Sequence, residues 1–191
     1  MEIAGEYAYV GREWVVETIV TRILGTVTTD RVHNHHNFAW RETHGGETLW
    51  VHRKGATPAF PGQRGFVGAT MGETAVILRG VDNDKAAAAL FSTVHGAGRV
   101  MSRTQALGRY RGWGKRRKQV APGAVDFARW RAELKRRGIE LRGGGADEAP
   151  ECYKRLDAVL EAHAGTVEIE HRLRPVGVAM AGPDVYDPYK D

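Results

Sequence analysis

The sequence has little cysteine and lacks a long apolar run. A single cysteine, Cys152, among 191 residues excludes an intrachain disulfide and a structural zinc site built from several thiolates. No stretch of about 18 apolar residues occurs, and no basic-then-apolar leader follows Met1, so neither a membrane span nor a secretory signal is expected. These absences predict a cytoplasmic protein in which any metal ion is held by histidines and carboxylates.

Acidic residues are missing from one segment of the chain. The whole sequence has 28 Lys and Arg against 23 Asp and Glu, a net charge of +5. Between Arg99 and Lys118, however, there are eight basic residues and no acidic one, together with Tyr110 and Trp113. Basic side chains interleaved with aromatic ones suit phosphate contact and base stacking. An ordinary solvated charged face remains an equal alternative.

Periodicity and glycine positions predict an α+β fold. An amphipathic helix is predicted over residues 3–23, with Ile3, Tyr7, Val10 and Trp14 on a face that should pack against another element. Residues 37–43 and 47–53 are predicted to form a hairpin around a His-Gly-Gly turn. Further helices are predicted at 84–91, 126–137 and 156–163, and strands at 75–78, 167–173 and 176–180. We expect one layered domain over residues 1–182 and a polar tail over 183–191.

A histidine cluster lies at His33, His35 and His36. If the segment is a strand, alternation places His33 and His35 on one face and His36 on the other, so one ion cannot use all three. Metal ligation and simple hydrogen bonding in a polar loop both remain open.

Two further segments have the composition of phosphate or nucleotide sites. The segment from His52 to Thr57 offers cations, a glycine and a hydroxyl to a phosphate, although an exposed strand end would look the same. In His95-Gly96-Ala97-Gly98-Arg99 the glycines allow a bulky ligand to approach a histidine, which is a competent nucleophile when neutral. A glycine turn with an incidental histidine is the alternative.

In order along the chain, these motifs resemble the motif series of the RtcB-type RNA ligases. The resemblance covers essentially the whole sequence and rests on the following segments: His36-Asn37, His52 to Thr57, Thr70-Met71-Gly72, His95 to Arg99, Ala149-Pro150 with Tyr153-Lys154, and Arg174-Pro175.

The resemblance implies a GTP- and Mn²⁺-dependent ligase for tRNA splicing or RNA repair. It joins RNA 3′-phosphate or 2′,3′-cyclic phosphate ends to 5′-hydroxyl ends through a GMP-histidine, which by position is His95. His36 is then a metal ligand. The implied nucleotide contacts are His36, Asn37, Thr70, Met71, Gly96, Ala97, Gly98 and Tyr153. Charge and family together suggest Arg53, Lys54, Arg99 and Arg103 for phosphate and RNA.

The sequence also departs from the family pattern. The usual Pro-Gly-Ser-Met-Gly loop is Gly68-Ala69-Thr70-Met71-Gly72 here. The family's C-terminal lysine is absent at its usual place, and we expect Lys190 to replace it. The N-terminal half of the family domain, with its further metal ligands, has no counterpart before His33.

We therefore expect an incomplete RtcB-like domain. The chain would be a fragment, or one half of a split ligase with an N-terminal RtcB half as partner and an archease-like activator, or a non-catalytic RNA-binding remnant. A metal-dependent phosphoesterase is a weaker alternative.

Overall fold

The structure, a computed structural model, describes residues 2–112, 116 and 118–182. In chain order its α-helices and β-strands are α1 (Glu2–Glu17), β1 (Asn37–His44), β2 (Glu47–Lys54), β3 (Ala56–Pro58), β4 (Arg64–Val67), β5 (Ala75–Gly80), α2 (Asp84–Ala88), β6 (Ser92–Val94), α3 (Arg103–Leu107), β7 (Gly108–Arg111), β8 (Lys118–Pro122), α4 (Phe127–Arg136), β9 (Glu140–Arg142), α5 (Leu156–Ala162), β10 (Val167–Leu173) and β11 (Gly177–Ala179). A π-helical segment, Thr18–Ile23, continues α1, and short 3₁₀ helices lie at Ala146–Glu148 and Pro150–Cys152. This mixture confirms the α+β class.

The chain divides into two compact units, where the sequence predicted one layered domain. Unit 1 comprises Met1–Val67, Ile77–His95 and His163–His171. Unit 2 comprises Gly68–Val76, Gly96–Ala162 and Arg172–Asp191. The predicted tail over 183–191 lies outside the described residues. No helix in the described part of the chain is long and apolar enough to span a bilayer.

Unit 1 contains two antiparallel strand pairs and a three-stranded sheet. The predicted hairpin is confirmed: β1 and β2 pair in register from Asn37 with Lys54 to His44 with Glu47. Gly45 and Gly46 form its turn with φ of 58° and 86°, which glycine adopts without strain. β3 pairs with β6, and β4, β5 and β10 form a sheet in the order β10-β5-β4. Val67 and Leu78 are fully buried in this unit.

Helix α1 forms as predicted but packs with the opposite face. Gly5 is the buried residue of the helix, and a Cβ there would come within 2.6 Å of the Phe38 ring. Tyr9 stacks on His33 with ring centroids 3.8 Å apart. The predicted packing face of Ile3, Tyr7, Val10 and Trp14 is instead exposed. The prediction was wrong because the missing side chain of Gly5 lets an aromatic ring approach the helix backbone.

Unit 2 has its own core beside α4, which confirms the helix predicted at 126–137. Asp126 caps the helix by accepting a hydrogen bond from the Arg129 N–H at 3.1 Å. Leu134 of α4 is fully buried and packs with Met71 and Ile139. In the same unit β7 pairs with β8, and β9 runs parallel to β11.

Helix α2 is shorter than the predicted 84–91 segment. It ends at Ala88, because Leu90 and Phe91 adopt φ values of 51° and 46°. Long-range bonds support this left-handed backbone: the Leu90 carbonyl accepts from Arg53 at 2.9 Å, and the Phe91 carbonyl accepts from the Ala59 N–H at 2.6 Å. Tertiary partners therefore override the helix propensity of the alanine run.

Candidate active site

Two histidines that are distant in sequence lie in contact in unit 1. His36 precedes β1 and His95 follows β6, and their rings stack with centroids 4.8 Å apart at an interplanar angle of 17°. Both residues are exposed to solvent. The structure thus brings together the proposed nucleophile and the proposed metal ligand.

Gly55, between β2 and β3, lies next to both histidines of this pair. Its N–H donates to the His36 carbonyl at 3.0 Å. It has φ of 69°, and a Cβ at Gly55 would lie 3.7 Å from both Cδ2 and Nε2 of His95. The His95 ring therefore rests on a glycine backbone that turns sharply after β2.

Electrostatics favour the neutral form of His95. Partial burial of the ring, and next the positive charge that His36 would carry, lower the pKa of His95 below its ordinary value of 6.5. Among the described residues, neither ring nitrogen of His95 has a hydrogen-bond partner. The imidazole is thus neutral near pH 7, with nitrogen lone-pair chemistry available to an incoming electrophile.

The other two histidines of the cluster have a structural role. Arg12 of α1 donates from Nε to His33 Nε2 at 2.6 Å, and His35 stacks on Phe38 with ring centroids 5.3 Å apart. Burial, and then the Arg12 charge, lower the pKa of both His33 and His35. The predicted separation of His36 from His33 and His35 is present in the structure. No group of three His, Cys, Asp or Glu side chains suited to a metal occurs within the described ranges.

Arg53 is not on an RNA-facing surface, which corrects the prediction made from its charge. Its side chain is only 2% exposed and donates to both carboxylate oxygens of Glu42, at 2.6 and 2.9 Å. It also donates to Ser92 Oγ at 2.8 Å and to the Leu90 carbonyl. Arg53 therefore holds β1, β2 and β6 together from inside unit 1.

The side chain of Lys54 points to the opposite face of β2 from that of Arg53, because neighbouring strand residues face opposite sides. It is exposed, has no ion pair within the described ranges, and lies opposite the exposed Asn37 in the β1–β2 register. Val51 and Arg53 share the inward face of β2. This two-residue alternation was the signal in the sequence that separated the buried arginine from the exposed lysine.

The glycine motif itself opens unit 2. Gly96 pairs with Gly68 in a parallel bridge, which places the Gly-Ala-Thr-Met-Gly loop beside the His-Gly-Ala-Gly motif. Gly98 has φ of 76°, and nothing lies within 4 Å of the position a Cβ would take. The Gly98 carbonyl accepts from the Lys154 N–H at 2.9 Å. The surface over Gly98 is thus open backbone that a ligand could approach closely.

Thr70 and Met71 are less accessible than their predicted role requires. Met71 is 6% exposed and packs in the core of unit 2, so its side chain is not a nucleotide contact here. The Thr70 hydroxyl donates to Glu73 at 3.0 Å and the residue is 9% exposed. Only backbone groups of this loop are therefore left to contact a nucleotide beside Gly96.

Arg99 and Tyr153 form a second cluster in unit 2. Arg99 Nη1 donates to the Tyr153 hydroxyl at 2.7 Å, and its guanidinium carbon lies 4.8 Å from the Tyr153 ring centroid. Arg99 Nη2 also donates to the Asp147 carbonyl at 2.8 Å. The Tyr153 hydroxyl donates in turn to Glu148.

Arg103 joins this cluster through carboxylates. Its Nη1 bonds to Asp147 Oδ2 at 2.9 Å and to Glu148 Oε1. The charges of Arg99 and Arg103 are thus opposed by two carboxylates, which leaves less positive charge for a phosphate than the sequence suggested. Burial, and then the hydrogen bond to Glu148, raise the pKa of Tyr153 to about 12, so the side chain stays a neutral phenol.

Sequence reasoning missed three residues that organise these clusters: Glu42, Asp147 and Glu148. It included Gly55 in the segment from His52 to Thr57, but as a phosphate contact rather than as a neighbour of His95. Glu148 and Asp147 lie just before the Ala149-Pro150 motif, but nothing in their spacing indicates the arginines that they bind. Lys190, the predicted replacement for the family's C-terminal lysine, lies outside the described residues.

A histidine followed by a glycine loop does not by itself define a class of protein, and comparison with known families identifies the class. Residues 1–181 match the family model described as tRNA-splicing ligase RtcB, and the chain belongs to this family.

Several curated relatives bear this out. The chain is 33% identical to the RNA-splicing ligase RtcB of Escherichia coli, in a match covering 89% of this chain and 40% of the relative. It is 38% identical to the RNA-splicing ligase RtcB of Mycobacterium tuberculosis, over 74% of this chain and 34% of the relative. The tRNA-splicing ligase RtcB of Pyrococcus furiosus is 39% identical over 68% of this chain and 14% of the relative. The chain spans two fifths or less of the length of these relatives.

Proposed function

We propose that this chain is the histidine-bearing part of an RtcB-type RNA ligase that joins RNA 3′-phosphate or 2′,3′-cyclic phosphate ends to 5′-hydroxyl ends. The observation that carries the proposal is the neutral, solvent-accessible His95 stacked on His36 at the start of the glycine loop. Family membership supplies the reaction class, and the geometry supports His95 as its nucleophile.

In the first step a ring nitrogen of His95 attacks the α-phosphorus of GTP. A phosphorus–nitrogen bond forms, the bond from the α-phosphorus to the bridging oxygen breaks, and pyrophosphate leaves. The lowered pKa of His95 supports this step, because only the neutral imidazole has a free lone pair. Since no orienting hydrogen bond holds the ring within the described residues, its position depends on the stacked His36 and on Gly55.

A 2′,3′-cyclic phosphate end must first be opened by water to a 3′-phosphate and a 2′-hydroxyl. The guanylyl group then passes to the RNA 3′-phosphate, and the phosphorus–nitrogen bond of His95 breaks. The 5′-hydroxyl of the second RNA end attacks this activated phosphate, and GMP leaves. The open backbone at Gly98 suits close approach of the nucleotide, and Gly96 and Ala97 complete the loop. We assign Asn37 and Tyr153 to the nucleotide and leave Lys190 as a proposed guanine contact.

A manganese site does not fit the residues of this chain alone. A resident metal needs three or more ligands, and no such group of three occurs among the residues that the structure describes. We propose His36 as one ligand and expect the others from RtcB sequence that this chain does not contain.

RNA contact is proposed at Lys54 and on the β7–β8 hairpin. Arg109, Arg111, Arg116 and Lys118 are exposed, and none has an ion pair within the described ranges. Unpaired exposed cations suit the RNA backbone better than Arg99 and Arg103, whose charges are already opposed by carboxylates. Lys54 lies opposite Asn37, next to the His36 and His95 pair, and suits a terminal phosphate.

The experiment that tests this function is guanylylation with α-labelled GTP and MnCl₂. The full chain is assayed alone and after co-expression with the part of the E. coli relative that lies outside the match. We expect acid-labile label in the co-expressed sample and its loss in His95→Ala. His171→Ala, which removes another exposed histidine of unit 1, should keep the label. Label that persists in His95→Ala would overturn the assignment.

A non-catalytic RNA-binding remnant is the second candidate, and one observation favours it. The described residues contain no three-ligand metal group, whereas β7 and β8 carry exposed cations. This candidate predicts RNA binding with no label in any sample, including the co-expressed one. Hydrolysis of a 2′,3′-cyclic phosphate end without GTP would instead indicate a phosphoesterase.

A further inference from the structure

The apolar face of α1, defined as Ile3, Tyr7, Val10 and Trp14, has no partner within the described residues. These side chains are 87%, 81%, 58% and 63% exposed. Their spacing of four, three and four residues places them in one row on the helix surface. Such a row is unusual on a free surface, because large apolar side chains gain stability by leaving water.

The exposure does not result from a loosely attached helix. The opposite side of α1 is held by Gly5 against Phe38, by Tyr9 stacked on His33, and by Arg12 bonded to His33. This packing fixes the direction of the apolar face. The exposed apolar surface continues beyond α1 through Ile19, Ile23, Leu24 and Val27.

We propose that this face is the docking surface for the part of the RtcB polypeptide that the chain does not contain. The proposal rests on family membership and on the proposed function as one part of a larger ligase. The match to the E. coli relative covers 89% of this chain but only 40% of that relative. More than half of the relative's sequence must therefore pack somewhere outside the region matched here, and this face is a large apolar surface left for it.

Charge argues against two other occupants. Glutamates line one edge of the face: Glu2, Glu6, Glu13 and Glu17. Arg31 pairs with Glu13 and Glu17, so the edge is acidic overall with one opposing cation. A helix lying on an anionic lipid surface carries lysines and arginines at that edge instead. A second copy packed antiparallel would set the two glutamate rows edge to edge, which is unfavourable. The occupant is therefore a polypeptide segment with an apolar face and no acidic edge of its own.

The test is co-purification of the full chain with the tagged, unmatched part of the E. coli RNA-splicing ligase RtcB. Two variants form a matched pair, because both change an exposed tryptophan of unit 1 to glutamate. Trp14 lies on the proposed face at 63% exposure, and Trp50 lies on β2 at 72%. We expect capture of the unmodified chain, at least tenfold weaker capture of Trp14→Glu, and unchanged capture of Trp50→Glu. Far-UV circular dichroism and the thermal midpoint confirm that both variants are folded.

Val10→Glu provides a second change on the same face and should behave like Trp14→Glu. His95→Ala should be captured as well as the unmodified chain, so failure of the ligase chemistry is distinguishable from failure of docking. No capture of the unmodified chain, or equal loss in Trp14→Glu and Trp50→Glu, would overturn the proposal. A dimer of the chain alone that Trp14→Glu dissociates would identify a second copy as the occupant, and flotation with anionic vesicles would identify a lipid surface.

Discussion

The rings of His36 and His95 stack with their centroids 4.8 Å apart. His36 contributes to lowering the pKa of His95, although burial contributes more. The neutral, nucleophilic form of His95 is therefore populated at lower pH than in an ordinary histidine.

The first prediction concerns this coupling. His36→Gln removes the neighbouring positive charge but not the burial, so the pKa of His95 should rise part of the way toward 6.5. On acidification, His95 of this variant then becomes protonated at a higher pH than His95 of the unmodified chain. NMR titration of the ring carbons in metal-free buffer measures it, and His171→Gln serves as the control. A pKa of His95 at or above 6.5 in the unmodified chain would contradict the prediction.

The second prediction concerns Gly55, on which the His95 ring rests. Gly55→Ala should lower the free energy of unfolding by about 1 kcal/mol, because an L-residue is strained at the φ of 69° found there. Gly11→Ala is the control with the opposite sign, since Gly11 lies inside α1 with open space around it and alanine favours helix. Urea unfolding monitored by tryptophan fluorescence separates the two. Equal changes in the free energy of unfolding for Gly55→Ala and Gly11→Ala would count against strain at Gly55.

The third prediction concerns the buried pair of Arg53 and Glu42. Arg53→Ala should destabilise the chain by about 3–5 kcal/mol, because it leaves a buried carboxylate without its partner. Lys54→Ala, one residue away and exposed, should change stability by less than about 0.5 kcal/mol. Chemical denaturation of both variants measures this contrast.

The same pair gives a pH dependence. Burial raises the pKa of Glu42, but hydrogen bonds from Arg53 and His44 outweigh it and hold the pKa below 4.5. A carboxyl with a lowered folded pKa contributes stability above 4.5 and loses it as pH falls through the folded value. The unfolding free energy should therefore fall on acidification below pH 4.5, and less so in Glu42→Gln. A Glu42→Gln profile parallel to that of the unmodified chain would contradict this assignment.

The fourth prediction concerns the Tyr153 hydroxyl, which accepts from Arg99 and donates to Glu148. Tyr153→Phe should cost about 1–3 kcal/mol of stability, because it removes one hydrogen bond from each of two partly buried charged groups, Arg99 and Glu148. Tyr7→Phe, on an exposed residue of α1, should have no measurable effect. Thermal unfolding of the two variants measures this difference. A loss of stability in Tyr7→Phe and none in Tyr153→Phe would contradict the prediction.

The fifth prediction concerns the cations of the β7–β8 hairpin. If Arg111 and Lys118 contact RNA phosphates, each alanine variant should reduce the slope of log affinity against log salt by about 1. Arg142→Ala provides the control, since Arg142 is equally exposed but paired with Glu140 at 2.9 Å. Fluorescence anisotropy with a labelled single-stranded RNA over a salt series measures the slopes. Identical slopes for all three variants would show that the hairpin is an ordinary solvated surface.

Local patterns predicted the elements with strong periodicity or glycine turns. The hairpin of β1 and β2, helix α4 and strand β10 lie where the sequence indicated. The short strands β3, β6 and β9 were not predicted, because three residues carry no measurable period. Helix α2 ended early for a reason absent from its own sequence, namely the bonds from Arg53 and Ala59 to the carbonyls of Leu90 and Phe91 just after it.

The residues of the candidate site also divide into those that local sequence patterns predicted and those that depend on long-range contacts. The His-Gly-Ala-Gly motif identified His95. His36 is separated from His33 and His35 as expected, but these three residues precede β1, so tertiary contacts rather than strand alternation separate them. Charge alone misassigned Arg53, whose neighbours in space are Glu42 and Ser92 rather than solvent. It also overstated Arg99 and Arg103, because the carboxylates of Asp147 and Glu148 lie far along the chain.

The sequence by itself determined the family, the class of fold and the motif that carries the histidine, because these depend on residue identity and on local spacing. Only the tertiary structure decided which charges are free and which face of α1 is buried. Burial and ion pairing depend on which residues are neighbours in space, and the order of residues along the chain does not specify those neighbours. The buried Arg53, the stacked His36 and His95, and the exposed Trp14 all follow from those long-range neighbours.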